Sequence, residues 1–398
     1  MAHSIHAEPY TMDPTLQVDL VTTGLSSPTS MAFVGPNDIL VLEKNTGDVK
    51  LVTKGQLMKK PVLHLDVDST TFTCCRGLLG IATSGKNLAA NEEVYIYFTA
   101  SRNDESNSSI VNKVNKYLWD GTKLAHPSTI LELPAIPGPN HPGGKLVLDG
   151  NGTLYTIIGD LNNEGLLQNI KDKKEITDSS VIIRINSADG SAIVNNPFIN
   201  LKKNYPQSQM EKYYGYGVRN SFGLAIDPMS GYLWDTENGD KDYDEINLIY
   251  PGFNSGWKKL MGPIAQSDVR EDQLVNMNGS KYFDPVFSWN PSLGVTGIEF
   301  FKSQNFGSSY TNNIFVGDIN NGNIYYLKLN ETRNGLVFYN PDIESDLVAD
   351  SSEKESLIWG GGFKGITDLK TGPDGNLYVL TFDESKEGDG GIYRISAK

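Results

Sequence analysis

Cysteine and histidine are scarce in this chain of 398 residues, which has two of the first and five of the second. The cysteines are adjacent, at Cys74 and Cys75, so they cannot supply a four-thiolate zinc site or a disulfide framework. They can form one vicinal disulfide or remain two thiols, and the sequence leaves both open. Because His3 and His6 lie at the extreme start, a histidine surrounded by other polar motifs is an informative lead.

Long apolar runs and positive charge are also lacking. No run of about 18 apolar residues is present, so the sequence predicts no membrane span. Residues 1–14 contain no apolar signal region, and we expect that a secretion signal has been removed. The 34 basic and 48 acidic residues give a net charge of −14, which argues against a nucleic acid or an anionic membrane surface as partner.

Helical periodicity is rare, and a strand-like phrase recurs instead. A Gly, Asn or Asp turn precedes four to six apolar or aromatic residues and a polar stop, in a chain with 40 Gly, 19 Tyr and 15 Phe. The phrase occurs at 37–43, 93–99, 149–160, 231–237, 313–318 and 374–381. Several copies are followed by a second apolar run after a short turn, which predicts strand–turn–strand units.

Six such units, spaced roughly 60 residues apart, fill the chain. Closing them into a ring removes exposed sheet edges. The sequence therefore predicts an all-β fold, a six-bladed β-propeller with blades of four antiparallel strands. We expect a strand near 18–23 to complete the sheet that ends at Ile395 and so to close the ring. No linker or composition break is visible, which indicates one domain, 15–398, after a flexible segment, 1–14.

One constellation of polar motifs stands out. His141-Pro-Gly-Gly ends a Pro/Gly-rich loop, Gly159-Asp160 ends an apolar run, and Arg219-Asn220 precedes an acidic stretch, 237–247. These residue types can serve as a base, a carboxylate that orients it, a contact for an anion and oxygen ligands for a hard metal. Loops on one face of a propeller converge around its centre, so residues far apart in sequence can share one site.

Several short motifs occur in an order and spacing that chance does not explain. They are 76–82 (RGLLGIA), 141–144 (HPGG), 154–160 (LYTIIGD), 217–224 (GVRNSFGL), 237–247, 252–257 (GFNSGW) and 372–380 (GPDGNLYVL). Through these motifs, from Gly24 to Arg394, the chain resembles the soluble glucose/sorbosone dehydrogenase family, which includes aldose sugar dehydrogenases that depend on pyrroloquinoline quinone (PQQ). The resemblance implies a six-bladed propeller that binds PQQ and Ca²⁺ and oxidises an aldose at C1 to a lactone. It also implies an exported protein, extracellular, periplasmic or at the cell surface, that passes electrons to an external acceptor.

The resemblance assigns roles to the constellation. His141 becomes the general base for the C1 hydroxyl, and Asp160 becomes the carboxylate that orients the imidazole. Arg219 and Asn220 become contacts of the quinone, with the guanidinium near developing negative charge. Each residue also has a structural alternative: a loop histidine bonded to a carbonyl, an aspartate that caps its own turn, and an arginine in a buried ion pair.

The acidic stretch is the implied metal site. The resemblance makes the backbone carbonyls of Gly239 and Asp240 ligands of the Ca²⁺ that polarises the quinone. Asp240 stands where relatives often have Pro, so its carboxylate is a second candidate ligand. Asp244 and Glu245, with Asp242, are expected to help hold this or a second, structural Ca²⁺; the alternative is a solvated acidic turn.

The loop before Gly77 is expected to border the substrate funnel, which places Cys75 and Arg76 there. The late part of the chain departs from the glucose-oxidising branch of the family, which holds the PQQ carboxylates with one Lys and two Arg. Asn320 aligns with the Lys, and Gly365 and Thr367 align with the two Arg. Each lost charge-assisted hydrogen bond is worth about 1.5–3 kcal/mol, so the departure weakens the expectation of PQQ.

Cofactor contacts are still expected at Asn320 and Thr367, and at Lys364, which lies one position from an expected Arg and could substitute for it. Two other functions remain open: a non-catalytic, calcium-stabilised propeller that binds a glycan or a protein, and a propeller lactonase. Retained Ca²⁺ binding without sugar-dependent dye reduction would identify the first, and lactone hydrolysis without a quinone the second. The sugar, the electron acceptor and the oligomeric state are not specified by the sequence.

Overall fold

The computed structural model describes residues 8–69, 75–85, 91–104, 107–383 and 388–398. Strands dominate these residues, and the helices among them are short, so the all-β prediction is confirmed. In chain order, the strands are β1 (Tyr10–Thr11), β2 (Leu16–Leu25), β3 (Pro28–Gly35), β4 (Asp38–Glu43), β5 (Asp48–Thr53), β6 (Gln56–Leu57), β7 (Leu63–His64), β8 (Leu78–Thr83), β9 (Glu92–Asp104), β10 (Asn107–Trp119), β11 (Leu124–Pro134), β12 (Leu146–Leu148), β13 (Thr153–Ile158), β14 (Val181–Asn186), β15 (Tyr213–Tyr216), β16 (Ser221–Ile226), β17 (Leu233–Glu237), β18 (Asp244–Ile249), β19 (Phe253–Asn254), β20 (Lys281–Tyr282), β21 (Phe287–Trp289), β22 (Val295–Phe300), β23 (Ile314–Asp318), β24 (Ile324–Leu329), β25 (Leu336–Val337), β26 (Val348–Ala349), β27 (Ile358–Gly361), β28 (Gly365–Thr371), β29 (Leu377–Phe382) and β30 (Gly390–Ala397).

The helical segments lie between the strands. The α-helix is α1 (Pro341–Asp346), and the 3₁₀ turns are Leu166–Gln168, Ile199–Asn204, Met210–Lys212, Ile264–Gln266, Glu271–Gln273 and Lys354–Leu357. In the part of the chain that the structure describes, no helix has the length and apolar character needed to cross a bilayer.

The strands form six hydrogen-bonded sheets, which give the molecule a propeller-like architecture. Their orders are β3-β4-β5-β6 with β7 beside β5, β8-β9-β10-β11, β12-β13-β14-β15-β19-β20, β16-β17-β18-β21-β26, β22-β23-β24-β27-β1 with β25 beside β24, and β28-β29-β30-β2. The first four strands of each sheet pair antiparallel, while the added strands β19, β20 and β26 pair parallel. Consecutive antiparallel strands follow from the short Gly/Asn/Asp turns in the sequence.

The two ends of the chain meet in one sheet. β2 pairs antiparallel with β30, with Val18 opposite Ile395, as the sequence predicts. Residues 10–11 differ from the expected flexible segment, because β1 pairs with the edge of β27 and the Met12 amide donates to the Trp359 carbonyl at 2.8 Å. Residues 1–7 lie outside the described part of the chain.

The continuous apolar runs arise because each sheet is covered on both faces. Every residue of β13 is buried. Leu154 and Ile158 pack into the core shared with the sheet that contains Tyr97. Tyr155 and Ile157 point the other way, into the core shared with β16 and β17. Successive side chains of a strand alternate between faces, so two cores require an unbroken apolar run instead of an alternating pattern.

A buried ion pair joins three sheets near the innermost strands. Lys145, just before β12, places Nζ 3.1 Å from Oδ1 of Asp368 on β28. Oδ2 of Asp368 accepts hydrogen bonds from the Ser30 hydroxyl, at 2.8 Å, and the Met31 amide of β3, at 3.0 Å. Burial lowers the pKa of Lys145, whereas Lys145 and other donors outweigh burial and hold the pKa of Asp368 below its usual value. Since the carboxylate is almost fully buried, it depends for charge compensation on Lys145 and on Lys370, whose Nζ lies 3.7 Å from Oδ1.

We therefore expect Lys145→Met to lower the free energy of unfolding by up to about 3–5 kcal/mol, because it leaves the buried Asp368 carboxylate with only the more distant Lys370 as a cation. Urea titration of the purified protein measures this. The matched control is Lys123→Met at an exposed site, where the change should be within about 0.5 kcal/mol. Equal stability of the two variants would contradict the interpretation.

Candidate active site

The loop that carries His141 is held in a fixed conformation. His141 has φ of +60°, and Gly143 and Gly144 have φ of +62° and +108°, where side chains are strained. A Cβ on Gly144 would lie 2.8 Å from Cβ of Leu79, so the loop packs closely on β8. The Tyr97 hydroxyl donates to the Pro142 carbonyl at 2.9 Å. Together these contacts fix the direction in which the imidazole leaves the backbone.

His141 and Asp160 form a close pair. Nδ1 of His141 lies 2.6 Å from Oδ1 of Asp160, and the two side chains are 13% and 5% exposed. Donation from Nδ1 leaves the lone pair of a neutral imidazole on Nε2, which can then accept a proton. The pairing of these two residues, which the family resemblance implies, is thus present in the structure.

Asp160 is held through both carboxylate oxygens. Oδ1 also accepts from the Asn162 amide at 2.8 Å, and Oδ2 accepts the indole N–H of Trp257 at 2.7 Å. Burial opposes ionisation, but the hydrogen bonds from His141, Asn162 and Trp257 outweigh it and hold the pKa of Asp160 below its usual value. The group is therefore a carboxylate at neutral pH, the form needed to stabilise a protonated imidazole.

Arg219 lies directly beside this pair. Its carbonyl accepts the Asp160 amide at 2.9 Å. Its guanidinium donates to the Asn238 carbonyl at 3.0 Å, contacts the Asp240 carboxylate at 3.2 Å, and lies over the Trp257 ring, 5.3 Å from the centroid. The pair with Asp240 joins a buried side chain, 12% exposed, to one that is 70% exposed.

Three buried polar atoms at this place lack a partner among the described residues. They are Nε of Arg219, Oδ1 of Asn220 and Oδ1 of Asn238. Buried polar groups are normally hydrogen-bonded, so these atoms are available to a bound ligand or to water. The structure thus places His141 beside Asp160 and Asp160 beside Arg219, with Asn220 next to Arg219 in the chain.

The acidic turn has a different internal organisation from the one expected. Oδ1 of Asp244 accepts the Gly239 amide at 3.0 Å. Oδ2 accepts three amides of the next loop, from Leu293, Gly294 and Val295, at 2.8, 2.6 and 3.1 Å. Asp244 is fully buried and its oxygens face backbone donors, so it fixes the turn on which Gly239 and Asp240 lie. That task differs from the metal ligation expected of it.

Three acidic side chains lie buried next to each other behind this turn. Asp235, Glu237 and Glu245 are each at most 1% exposed, and none forms an ion pair with Lys or Arg in the described part of the chain. Ser255 donates to Glu237 at 2.7 Å, and Asn247 donates to Glu245 at 3.2 Å. Oδ1 of Asp235 and Oδ1 of Asn247 have no partner among the described residues.

These acids do not by themselves form a recognisable metal centre. Within the described residues, no group of three or more His, Cys, Asp and Glu side chains is arranged to hold a metal ion. A cation here would thus depend on carbonyl, amide and hydroxyl oxygens beside one or two carboxylates, which suits Ca²⁺ better than a transition metal.

The late residues expected at the cofactor have other partners. Lys364 pairs with Asp389 and lies 3.3 Å from Asp383. The Thr367 hydroxyl faces the Leu380 carbonyl at 3.5 Å, and Asn320 is exposed and donates to the Leu293 carbonyl at 2.8 Å. No contact joins these three residues to the His141–Arg219 centre in the described structure.

Gly365 has no room for the arginine of the glucose-oxidising branch. A Cβ there would overlap the backbone carbonyl of Ile319 on the adjacent loop. A longer side chain at 365 would therefore require the backbone to move.

Arg76 supports the histidine loop from outside. It is almost fully buried, donates to the Ala135 carbonyl at 2.5 Å, and lies 3.7 Å from Asp68. Its guanidinium also contacts the turn at Gly138. Cys75 is 5% exposed, and Cys74 lies outside the described residues. A vicinal disulfide and two free thiols are therefore both still open.

Trp257 is the main residue of the site that the sequence analysis did not assign. It contacts both Asp160 and Arg219. The sequence signal for it was the Gly-Trp pair that ends motif 252–257. A tryptophan in a glycine-rich loop is usually a packing residue, and the sequence does not show that its indole N–H has a carboxylate partner.

Comparison with known proteins places the geometry in context. The family model described as Glucose / Sorbosone dehydrogenase matches residues 25–394. Aldose sugar dehydrogenase YliI of Escherichia coli is 25% identical over 374 residues, which cover 94% of this chain and 92% of that protein. The uncharacterized protein slr1608 of Synechocystis is 29% identical over 388 residues, 92% of this chain and 84% of that protein.

Solved structures share the fold. The PQQ-bound aldose sugar dehydrogenase from Streptomyces coelicolor superposes with a TM-score of 0.67 at 22% identity, covering 97% of this chain and 99% of that one. The putative oxidoreductase (glucose dehydrogenase) from Thermus thermophilus gives 0.70 at 24% identity, covering 96% and 99%. At these identities the likeness shows the fold alone.

The buried acids predict an unusual pH dependence of the protein freed of divalent cations. Burial raises the pKa of Asp235 to about 7, above its value of about 4 in the unfolded chain. Folding therefore takes up a proton between these pH values, and the free energy of unfolding falls as the pH rises from about 4 to about 7. In Asp235→Asn this fall should be weaker by up to roughly 1.4 kcal/mol per pH unit.

Urea titrations at several pH values in the presence of a chelator measure the slope. The control is Asp66→Asn, at a side chain that is 98% exposed, and its slope should equal that of the unaltered protein. A slope in Asp235→Asn that matches the control would show that Asp235 is already ionised in the folded state.

Proposed function

The chain belongs to the glucose/sorbosone dehydrogenase family, and on this premise we propose that it is an aldose sugar dehydrogenase that uses PQQ and Ca²⁺. The reaction is oxidation of the C1 hydroxyl of an aldose to the lactone, with transfer of a hydride from C1. The observation that carries the proposal is the contact of 2.6 Å between Nδ1 of His141 and Oδ1 of Asp160, beside a buried arginine with an unpartnered Nε.

The base acts through Nε2 of His141. This atom takes the proton of the C1 hydroxyl as the C1–H bond breaks and its electron pair leaves as hydride, so that a C=O bond forms at C1. The proton remains on the imidazole, and the Asp160 carboxylate stabilises the imidazolium that results. When bound, PQQ would supply the two-electron acceptor for the hydride, Ca²⁺ would act on it as a Lewis acid, and an external acceptor would be needed to remove the electrons.

Arg219 and Asn220 are the residues best suited to the quinone. Each carries a buried polar atom without a partner among the described residues, a guanidinium N–H in Arg219 and an amide oxygen in Asn220. The donor set thus fits a planar ligand with negative charge at this end. The late loops offer few cations to the PQQ carboxylates. Lys364 is paired with two aspartates, and Asn320 and Thr367 are neutral. We expect PQQ to bind, but with fewer contacts to its carboxylates than in the glucose-oxidising branch.

Two places suit Ca²⁺. The first is the turn at Gly239 and Asp240, whose backbone carbonyls would ligate the ion and whose shape is fixed by Asp244. The second is the buried acidic group, where Glu245 supplies a carboxylate and Asn247 an unpartnered oxygen. Buried carboxylates without a Lys or Arg partner are costly, and a bound cation offsets that cost.

We also propose that the six sheets are the blades of a closed six-bladed propeller formed by one domain, 15–398. Support comes from the innermost strands, since β3 contacts β8, β8 contacts β12, and the series continues through β16, β22 and β28 back to β3. We propose an exported location, in keeping with an external electron acceptor and the sequence analysis.

One alternative has structural support. A calcium-stabilised propeller that binds a glycan or a protein, without catalysis, would retain the buried acids and would not need cations for the PQQ carboxylates. The internal pairing of Lys364 and the absence of room at Gly365 favour it. Sugar oxidation is therefore the property that decides between the two.

The proposal predicts that His141→Ala lowers kcat/KM for aldoses by about 10²–10⁴-fold, because it removes the base. The assay is dye reduction by protein loaded with PQQ and Ca²⁺, with a panel of aldoses. His126→Ala, at an exposed site, is the control and should retain full activity. No turnover by the unaltered protein, together with no PQQ binding by calorimetry at about 100 µM, would reject the dehydrogenase and favour the binding propeller.

The second calcium site predicts a separate result. Calcium at about 100 times its Kd should raise the free energy of unfolding by about 2.7 kcal/mol. Glu245→Gln should lose most of this gain, because it removes the carboxylate ligand. Thermal denaturation with Ca²⁺ and with a chelator measures the effect, and Asp272→Asn, at a side chain 71% exposed, is the control. An equal gain in both variants would exclude Glu245 as a ligand.

A further inference from the structure

We propose that Trp257 is a positioning residue that sets the base and the cation of the site together. Its indole N–H fixes the carboxylate that orients His141, and its ring face fixes the guanidinium of Arg219. The inference deepens the proposed function and rests on it for the catalytic consequence. The contacts themselves join residues of the protein, so they can be tested independently of turnover.

The N–H contact restricts the carboxylate of Asp160. A carboxylate held through one oxygen can rotate about its Cβ–Cγ bond and carry the imidazole with it. Here Oδ1 receives Nδ1–H of His141 at 2.6 Å and Oδ2 receives Nε1–H of Trp257 at 2.7 Å. With both oxygens engaged, the plane of the carboxylate is fixed and so is the direction of Nε2.

The indole N–H also withdraws charge from the carboxylate. A donor on Oδ2 of Asp160 shares the negative charge that would otherwise stabilise protonated His141. Loss of this donor should strengthen the His141–Asp160 hydrogen bond and change the pH at which the base becomes active. A residue that acted only in packing would leave that pH unchanged.

The ring face holds Arg219. The guanidinium carbon lies 5.3 Å from the ring centroid, within the range of a cation–π contact. Its terminal nitrogens are engaged by Asn238 and Asp240, so Nε is the donor left without a partner. The stack therefore aligns the plane of the guanidinium and with it the free N–H.

Trp257 is itself rigidly anchored, which a positioning role requires. Its amide donates to the Gly217 carbonyl at 3.0 Å, and its carbonyl accepts from the Asn169 amide group at 2.8 Å. Asn169 and Asn254 exchange two side-chain hydrogen bonds of 2.9 Å each. The backbone of Trp257 is thus held by two other segments of the chain, at Gly217 and at Asn169, and the residue transmits their positions to the site.

Substitutions of Trp257 separate its N–H contact with Asp160 from its ring contact with Arg219. Trp257→Phe retains an aromatic face under Arg219 and removes the N–H donor to Asp160, whereas Trp257→Leu removes both. Trp359→Phe is the matched control, because its indole N–H donates to the Tyr310 hydroxyl at 3.1 Å in a separate core. All three variants lose one indole N–H, so the control accounts for the general cost of that loss.

The first experiment uses protein without PQQ, labelled with ¹⁵N at His and Arg. The Nδ1 proton of His141 is identified by its loss in His141→Ala, and the Nε–H signal of Arg219 by its loss in Arg219→Lys. We expect the His141 proton to shift in Trp257→Phe and not in Trp359→Phe. We expect the Arg219 signal to lose its ring-current shift in Trp257→Leu and to retain most of it in Trp257→Phe.

An unchanged His141 proton in Trp257→Phe would overturn the N–H role, and an unchanged Arg219 signal in Trp257→Leu would overturn the ring role. If the leucine variant does not fold, Arg219 is examined in Trp257→Met, which also lacks the ring. These outcomes do not depend on turnover, so they stand even if the protein fails to oxidise sugars.

The second experiment measures catalysis in the loaded protein. We expect Trp257→Phe to lower kcat roughly 10–100-fold, with KM within about threefold and a displaced acid limb of the pH–rate profile. Trp359→Phe should match the unaltered protein. A kcat and pH profile for Trp257→Phe equal to the control would reject the catalytic consequence, whereas inactivity of the unaltered protein would reject the proposed function instead.

Discussion

The site depends on the close approach of three backbone segments at Gly159. A side chain at this position would overlap the carbonyl of Arg219 and would lie 2.6 Å from the carbonyl of His141. Because residue 159 has no Cβ, the loop of the base, the strand end that carries Asp160 and the turn of Arg219 can touch. The short distances among their side chains follow from this contact, and the hydrogen bond from the Asp160 amide to the Arg219 carbonyl fixes it.

Charge is distributed unevenly around that contact. On one side a carboxylate is balanced by a histidine, an indole and an amide, and on the other a guanidinium is balanced by a carbonyl and an exposed aspartate. Behind them lie acids with no basic partner among the described residues. This arrangement keeps the base and the cation ready for a ligand while concentrating unbalanced negative charge where a metal ion would relieve it. Cofactor and metal are thus proposed on electrostatic grounds as well as on family membership.

Much of the architecture could be predicted because it depends on local signals. Turn residues before apolar runs gave the antiparallel strands, and the order of the motifs gave the four residues of the candidate centre. Asp244 shows what could not be predicted. Its role depends on three amides about 50 positions later, at Leu293–Val295, and nothing near Asp244 in the sequence encodes that turn. Strand β1 escaped prediction for a similar reason, since two residues pair only because β27 offers a free edge.

The pairing of β2 with β30 has a consequence for how the protein is made. The second strand of the chain finds its partner only in the last strand. During synthesis β2 therefore has no pairing partner until the last strand, β30, has been produced. The sheet that contains β2 and β30 is the last to be completed. Pairing over such a separation is slow to form, because the loop that it closes spans nearly the whole chain. Once formed, it joins strands from the two ends of the chain in one sheet, so that β2 cannot leave without breaking its pairing with β30.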